Sequence, residues 1–273
     1  MRIQLLGTAA AEGWPALFCA CDTCNRARVA GPKNHRTRSS LQIDEFLKVD
    51  LPADTLAHVH QHGLNLAQLR YLLITHSHSD HICASEVEYL FEPFAKPARA
   101  EAVRVFGNKE SMALIRGQLG ERLNDNPALV NEIEPFAPLS LPLYNVTPVR
   151  AHHGADTHPL NYVIERDGSS LLYACDTGFY EEATWEFLSD HTVDLVISEC
   201  TEGPRDATYG THMGLPNVED FRDRARDIGL VENDTPWVLT HFSHGGGLLH
   251  EELEELAEPM GFTVAWDGME LVV

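Results

Sequence analysis

Positive charge is scarce in this sequence. Its 273 residues include 20 Lys and Arg against 41 Asp and Glu, which gives a formal net charge of −21 with neutral His. A surface this acidic repels phosphate backbones, so we do not expect a general DNA or RNA binder. Bound metal could still create a local positive spot that attracts a small anion.

Long apolar runs, linkers and targeting signals are also missing. No segment approaches the ~18 consecutive apolar residues that a membrane-spanning helix needs, and residues 1–10 lack the basic and apolar segments of a secretory signal. We therefore expect a cytoplasmic protein without a membrane partner. Apolar residues make up 44% of the chain, and no Pro-, Gly- or Ser-rich stretch divides it. A single domain over residues 1–273 is predicted.

Strand-like and helix-like segments alternate along the chain. Tyr71–Ile74 is a continuous apolar run that is typical of a buried strand. Gly168 and Ser169 follow Asp167 and are suited to a hairpin turn between two strands. Alternation with hairpins mixed in predicts an α/β fold that has mixed sheets and outer helices.

The most informative stretch is Thr75–His81, which follows this strand. It places His76, His78, Asp80 and His81 within six residues. Imidazole and carboxylate ligands suit metals such as zinc, manganese or iron. His76 and His78 are two residues apart, so on an extended chain they face the same way, while Asp80 and His81 turn elsewhere. One loop can therefore supply ligands to two metals.

A second cluster is rich in cysteine. Cys19, Cys21 and Cys24 lie within six residues in a loop-like context. Disulfides are unusual in a cytosolic protein, and three close thiolates can hold one face of a tetrahedral zinc. The fourth ligand must come from elsewhere in the chain. We predict a zinc knuckle near residues 19–24.

The H-x-H-x-D-H stretch resembles the signature of the metallo-β-lactamase superfamily. This resemblance implies an αββα sandwich of two mixed sheets with outer helices, and further ligands at later strand ends. It also implies that Asp50 orients the histidine loop. In the family's pattern, one metal is held by His76, His78 and a middle histidine, and the other by Asp80, His81 and His241, with Asp176 bridging. His152 and His153 compete for the middle position, and the following glycine favours His153.

Within the superfamily, a three-cysteine knuckle paired with H-x-x-H near the C-terminus resembles the PhnP-like phosphodiesterases. Those enzymes hydrolyse phosphoribosyl cyclic phosphate. The resemblance implies that His241 serves the active site and that His244 completes the structural zinc site. If the chain is extended from His241 to His244, the odd separation points the two rings to opposite sides.

A histidine in the loop around Thr211–Gly214 completes the predicted site. By resemblance to PhnP-like and RNase Z-like enzymes, His212 lies near the substrate phosphate and protonates the leaving alkoxide. We assign catalytic roles to His212 and Asp80. The implied cofactors are two divalent metals, zinc or manganese, in the active site and one structural zinc.

These features predict a metal-dependent hydrolase that acts on a small phosphodiester, with a cyclic ribose phosphate as one option. A tRNA 3′-processing nuclease, an ester or lactone hydrolase, and a carrier or binding protein without catalytic activity stay open as alternatives. The absence of a secretory signal disfavours a lactamase, and the acidic surface disfavours tRNA. Nucleic acid is not an expected partner, and a homodimer is left open.

Overall fold

The computed structural model describes residues 1–154 and 157–273. Over these residues the chain forms two mixed β-sheets of seven strands each. The first sheet has the order β14-β1-β2-β3-β4-β5-β6. Its strands are β1 (Arg2–Gly7), β2 (Ser40–Ile43), β3 (Leu47–Val49), β4 (Tyr71–Ile74), β5 (Arg104–Gly107), β6 (Val130–Glu132) and β14 (Glu270–Val272).

The second sheet has the order β13-β12-β11-β10-β9-β8-β7. Its strands are β7 (Leu139–Ser140), β8 (Asn145–Arg150), β9 (Leu160–Arg166), β10 (Ser169–Ala174), β11 (Leu195–Glu199), β12 (Trp237–Thr240) and β13 (Thr263–Val264). The predicted hairpin turn joins β9 to β10, which pair in antiparallel fashion.

Helices cover the outer faces of the two sheets. The α-helices are α1 (Asp22–Ala30), α2 (Thr55–His62), α3 (Lys109–Leu119), α4 (Glu182–Leu188), α5 (Leu215–Asp227) and α6 (His250–Ala257). Short 3₁₀ segments lie at Pro32–Asn34, Leu66–Gln68, Ala84–Leu90, Gly120–Asn124, His244–Gly246 and Glu258–Met260. None of the described helices is long and apolar enough to cross a membrane.

Side chains along each strand alternate between the two faces of the sheet, so that an apolar core forms on both faces. Tyr71 and Leu73 of β4 pack between the sheets with Leu171 and Tyr173 of β10. Leu72 faces the other way, toward α3, because successive strand residues point to opposite faces. Three apolar layers result, one between the sheets and one under each set of helices. The predicted αββα class is confirmed.

Strand direction collects the polar loops at one edge. Strands β3, β4 and β5 are parallel, as are β10, β11 and β12. Two successive antiparallel pairings make β8 parallel to β10. The loops that follow these strands therefore meet where the two sheets end. Rigid strands beneath such loops are what position functional side chains.

Candidate metal centre

Each predicted ligand of the centre follows the end of a strand. The segment His76–His81 comes after β4, His153 after β8, Asp176 after β10 and His241 after β12. All of these side chains except those of His78 and His153 are buried. The structure brings them together in two adjoining groups of potential ligands, within which the ligand atoms lie within 4.8 Å of one another.

The first group contains His76, His78, His153 and Asp176. His78 Nδ1 lies 2.9 Å from His76 Nε2 and 3.2 Å from His153 Nε2. A neutral imidazole carries one donor and one acceptor nitrogen, so three nitrogens that converge on one point suit a shared cation. The residues present fit a divalent metal at this position.

The second group contains Asp80, His81, Asp176 and His241. His81 Nε2 lies 3.3 Å from Asp80 Oδ2. His81 Nε2, His241 Nε2 and Asp176 Oδ1 are buried and have no hydrogen-bond partner among the described residues. Buried polar atoms are rarely left without a partner, and a divalent cation coordinated by this group would satisfy the two histidine nitrogens. This position also fits a metal.

Asp176 is common to both groups. Its Oδ2 lies 3.2 Å from the Nε2 atoms of both His76 and His81 and 3.8 Å from His241 Nε2. Burial alone would raise the pKa of Asp176, but the nearby imidazoles of His241, His76 and His81 hold it well below its usual value. An ionised carboxylate between two ligand groups can bridge two metals.

His152 and His153, the two candidates for the middle ligand, point in different directions. His153 Nε2 faces the ligand group, while His153 Nδ1 lies 3.1 Å from the Thr211 carbonyl oxygen. His152 is exposed and its Nδ1 lies 3.0 Å from the Phe179 carbonyl oxygen. The geometry therefore favours His153 as the middle ligand.

Contacts behind the ligands select which ring nitrogen faces inward. His81 Nδ1 lies 2.7 Å from Asp50 Oδ2, and His241 Nδ1 lies 2.9 Å from Thr201 Oγ1. Asp50 also accepts hydrogen bonds from the backbone N–H and the hydroxyl of Thr75. Partners of this kind fix the tautomer and orientation of metal-binding histidines.

Three of these strand-end residues have left-handed backbone conformations. The φ angles are 62° at Asp50, 55° at Asp176 and 58° at His241. For residues other than glycine such conformations cost about 1–3 kcal/mol and tend to occur at functional sites. Asp and His are among the residues that adopt them most easily. The sharp turns direct Asp176 and His241 into the centre and Asp50 toward His81.

Glu199 is a residue of the site that the sequence analysis missed. It ends β11, is fully buried, and its Oε1 lies 2.9 Å from His212 Nδ1. The position at a strand end, which identified the other ligands, could have pointed to it. Burial alone would lower the pKa of His212, but the hydrogen bond and charge of Glu199, followed by Asp176, raise it to about 9.

Asp176, Glu199, His212 and His241 also lie close enough together to form a further ligand group. Both oxygens of Glu199 are already occupied by donors. Oε1 accepts from the Thr177 N–H as well as from His212, and Oε2 accepts from the N–H groups of Thr201 and Met213. These contacts suit a residue that orients His212 better than one that binds a metal.

The loop that carries His212 touches the turn after Asp176 by its backbone. A Cβ atom on Gly178 would lie 1.7 Å from the Gly210 carbonyl oxygen. Contact this close is open only to glycine. His212 Nδ1 consequently reaches to 3.2 Å from Asp176 Oδ1.

A cavity of about 630 Å³ adjoins the centre. It is bordered by His153 and Thr211 on the side of the ligands and by the start of α3 on the other. Its charged and basic lining residues are Lys109, Glu110, Glu134, Arg150, His152, His158 and Glu181.

The predicted zinc knuckle forms a separate group of Cys19, Cys21, Cys24 and His244. His244 Nδ1 lies 3.4 Å from Cys21 Sγ and 3.7 Å from Cys19 Sγ. A hydrogen bond from the Cys24 backbone N–H and then one from His244 lower the pKa of Cys21 to about 6. Three thiols and an imidazole are the donor set of a closed, tetrahedral zinc site, so these residues fit a structural zinc.

His241 and His244 point to different sites, and the chain is extended only at Phe242 and Ser243 between them. His241 has a left-handed backbone, and His244 begins the short 3₁₀ segment. The left-handed turn at His241 directs its ring to the centre, and the 3₁₀ turn directs His244 to the cysteines.

Comparison with known proteins identifies the family of the chain. The family model of the β-lactamase superfamily domain matches residues 49–242. Coenzyme PQQ synthesis protein B from Methylorubrum populi is 23% identical over 303 aligned positions, which cover 99% of each chain.

Solved structures share the fold over the whole chain. A diphosphatase of the PhnP family matches with a TM-score of 0.74 and 23% identity over 99% of this chain and 97% of the other. Zinc-bound PqqB from Methylobacterium extorquens matches with a TM-score of 0.76 and 16% identity over 100% of both chains. The short form of human tRNase Z matches with a TM-score of 0.66 and 16% identity over 100% of this chain and 99% of the other. Two facing sheets, histidine- and aspartate-rich strand ends and the match over residues 49–242 together establish that the chain belongs to the metallo-β-lactamase superfamily.

Proposed function

We propose that the protein is a metal-dependent phosphodiesterase that acts on a small phosphodiester. The observation that carries the proposal is the position of Asp176. One carboxylate is shared by two ligand groups and is also 3.2 Å from His212 Nδ1. Metal ligands and a residue able to transfer a proton therefore surround the same point, as hydrolysis of a phosphodiester requires.

Zinc or manganese ions, when bound, would activate a water molecule and offset the negative charge that develops on the phosphate oxygens. The chain would hold them through His76, His78 and His153 on one side and Asp80, His81 and His241 on the other, with Asp176 between. Asp50 and Thr201 would keep the ligand rings in position. His212 would transfer a proton to the leaving oxygen through Nε2, because its Nδ1 is engaged by Glu199.

The cavity beside His153 supports a small substrate. Its volume of about 630 Å³ is within the usual range for a site that binds a small molecule. Lys109, Arg150 and His152 line it together with Glu110, Glu134 and Glu181, so the cavity offers both donors and acceptors to a polar group. A formal net charge of −21 opposes binding of a long RNA substrate.

The relatives support this class of function without specifying the substrate. One structural relative is described as a diphosphatase of the PhnP family, and another is a tRNase Z. Both descriptions concern phosphate chemistry. Zinc-bound PqqB is an example of a protein with this fold that binds zinc. We further propose a structural zinc in the knuckle and a cytoplasmic location with no membrane partner.

A substrate panel tests the proposal. Metal-depleted protein, reloaded with Zn²⁺ or Mn²⁺, would be given bis-para-nitrophenyl phosphate, a cyclic ribose phosphate, a nitrophenyl ester, a lactone and a tRNA precursor. We expect metal-dependent turnover of the two phosphodiesters and none by Asp176→Asn. Turnover of the ester or lactone alone, or of the tRNA alone, would contradict the proposal. Absence of turnover by fully loaded protein would favour a binding protein instead.

A further inference from the structure

The turn after β1 is attached to the segment between His241 and His244. Ala9 and Phe242 form a parallel bridge. The Phe242 N–H donates to the Thr8 carbonyl oxygen at 2.8 Å, and the Ala10 N–H donates to the Phe242 carbonyl oxygen at 3.0 Å. The chain then turns back through Gly13, whose φ is 70° and whose N–H donates to the Ala10 carbonyl oxygen. Glu12 is therefore held beside residues 243 and 244.

Glu12 contacts the side of His244 that faces away from the cysteines. Glu12 Oε1 lies 3.6 Å from His244 Nε2 and accepts a hydrogen bond of 2.5 Å from Ser243 Oγ. Ser243 Oγ in turn accepts from the Gly245 N–H at 3.0 Å. The two nitrogens of His244 thus face different groups, Nδ1 the thiols of Cys19 and Cys21 and Nε2 the carboxylate.

We propose that Glu12 is a positioning residue for the metal of the knuckle. The 3.6 Å between Glu12 Oε1 and His244 Nε2 is longer than a hydrogen bond. Glu12 therefore acts through Ser243, which donates to the carboxylate and caps the short 3₁₀ turn that begins at His244. Contacts behind metal-binding residues hold the ligands in position, and their removal commonly lowers metal affinity 10–100-fold. The proposal rests on a metal at the knuckle and is independent of the proposed phosphodiesterase activity.

A positioning role of Glu12 and a simple effect of its negative charge predict different results when nearby acidic residues are replaced. The side chains of Glu12 and His244 are 33% and 24% exposed, so attraction between charges alone would be screened and weak. Asp22 supplies the matched control. It follows the ligand Cys21, is exposed, and forms no ion pair within the described part of the chain. Asp22→Asn removes the same charge from the knuckle without a contact to His244.

Cobalt substitution makes the knuckle directly visible. No cysteine is among the residues assigned to the active centre, so a thiolate-to-cobalt charge-transfer band would report on the knuckle alone. Protein loaded with Co²⁺ would be mixed with excess chelator, and the decay of that band would be followed. Circular dichroism would verify the fold of each variant.

We expect Glu12→Gln to lose its knuckle metal about tenfold faster than the parent protein, a change at the lower end of the range for such contacts. Asp22→Asn should stay within about twofold of the parent. Glu12→Asp, which retains a carboxylate, should lose the knuckle metal more slowly than Glu12→Gln. Equal rates for Glu12→Gln and the parent, equal rates for Glu12→Gln and Asp22→Asn, or a parent without the thiolate band would each overturn the proposal.

Discussion

The carboxylate of Glu199 connects His212 to the backbone of the metal-binding loops. His212 Nδ1 lies 2.9 Å from Glu199 Oε1, and the same oxygen accepts a hydrogen bond from the Thr177 N–H beside Asp176. Glu199 Oε2 accepts from the N–H of Thr201, whose hydroxyl contacts His241. A single buried side chain therefore fixes His212 relative to residues of both ligand groups.

Replacement of His212 should affect substrates according to their leaving group. An activated nitrophenolate departs without a proton, whereas a sugar alkoxide needs one. General acid catalysis contributes about 10²–10⁴-fold, so His212→Ala should slow hydrolysis of a cyclic ribose phosphate at least about tenfold more than hydrolysis of a nitrophenyl phosphodiester. Steady-state rates on the two substrates provide the measurement. Equal losses would instead indicate that His212 binds a phosphate oxygen.

Removal of one ligand from either group should abolish metal-dependent hydrolysis and leave the fold intact. His76→Ala affects the first group and Asp80→Ala the second. Circular dichroism and activity with added metal would be compared with those of His60→Ala, which removes an exposed histidine from α2. Full activity of either ligand variant would refute the two-metal centre.

The two histidines near the C-terminus should have separable roles. His244→Ala should lower the melting temperature and release one zinc but retain most of the turnover, because binding of a structural metal contributes to folding. His241→Ala should lose an active-site metal and activity with a smaller change in stability. Metal analysis by mass spectrometry and thermal unfolding of both variants are the measurements.

The parent protein in the same experiment should hold up to three metals, two in the groups that share Asp176 and one in the knuckle. One of them should resist mild chelation. If both variants behave alike, or if fully loaded parent protein holds two metals while the thiols of Cys19, Cys21 and Cys24 react freely, the proposed division of ligands is wrong.

Asp50→Asn should weaken the second metal position without loss of the fold. The amide has nearly the same shape and tolerates the left-handed backbone, but it is a weaker partner for His81 Nδ1, which lies 2.7 Å from Asp50 Oδ2. Metal affinity measured by titration should fall about 10–100-fold. Asp167→Asn is the matched control, because Asp167 is also left-handed, with φ of 53°, but lies in the exposed hairpin turn. A comparable loss of affinity in both variants would contradict the role of Asp50.

The sequence predicted the architecture well because its signals are local. Apolar runs such as Tyr71–Ile74 mark buried strands, and a polar residue directly after such a run marks the edge where loops meet. The histidine and cysteine motifs combine several residues within short segments. The alternation of segments predicted mixed sheets with outer helices, and the resemblance carried by the histidine motif implied the αββα sandwich and the superfamily.

What the sequence could not provide depends on contacts between distant segments. Glu199 ends β11, which marks it as a candidate, but its role beside His212 depends on how the loop that carries His212 packs against it. His152 and His153 could be separated only by the backbone partners of each ring, Phe179 for one and Thr211 for the other. The left-handed turn at His241 depends on packing of the surrounding loops, which no local sequence pattern specifies.

The close contact between Gly178 and Gly210 sets the distance between the turn that carries Asp176 and the loop that carries His212. The smallest side chain, a methyl group at position 178, would force apart the turn of Asp176 and the loop of His212, although neither histidines nor carboxylates would be changed. We expect Gly178→Ala to slow substrates with poor leaving groups more than activated ones, as His212→Ala should, although the imidazole of His212 remains in the protein. The distance between two backbone segments, and not a reactive side chain, would then control the selectivity between phosphodiesters with good and with poor leaving groups.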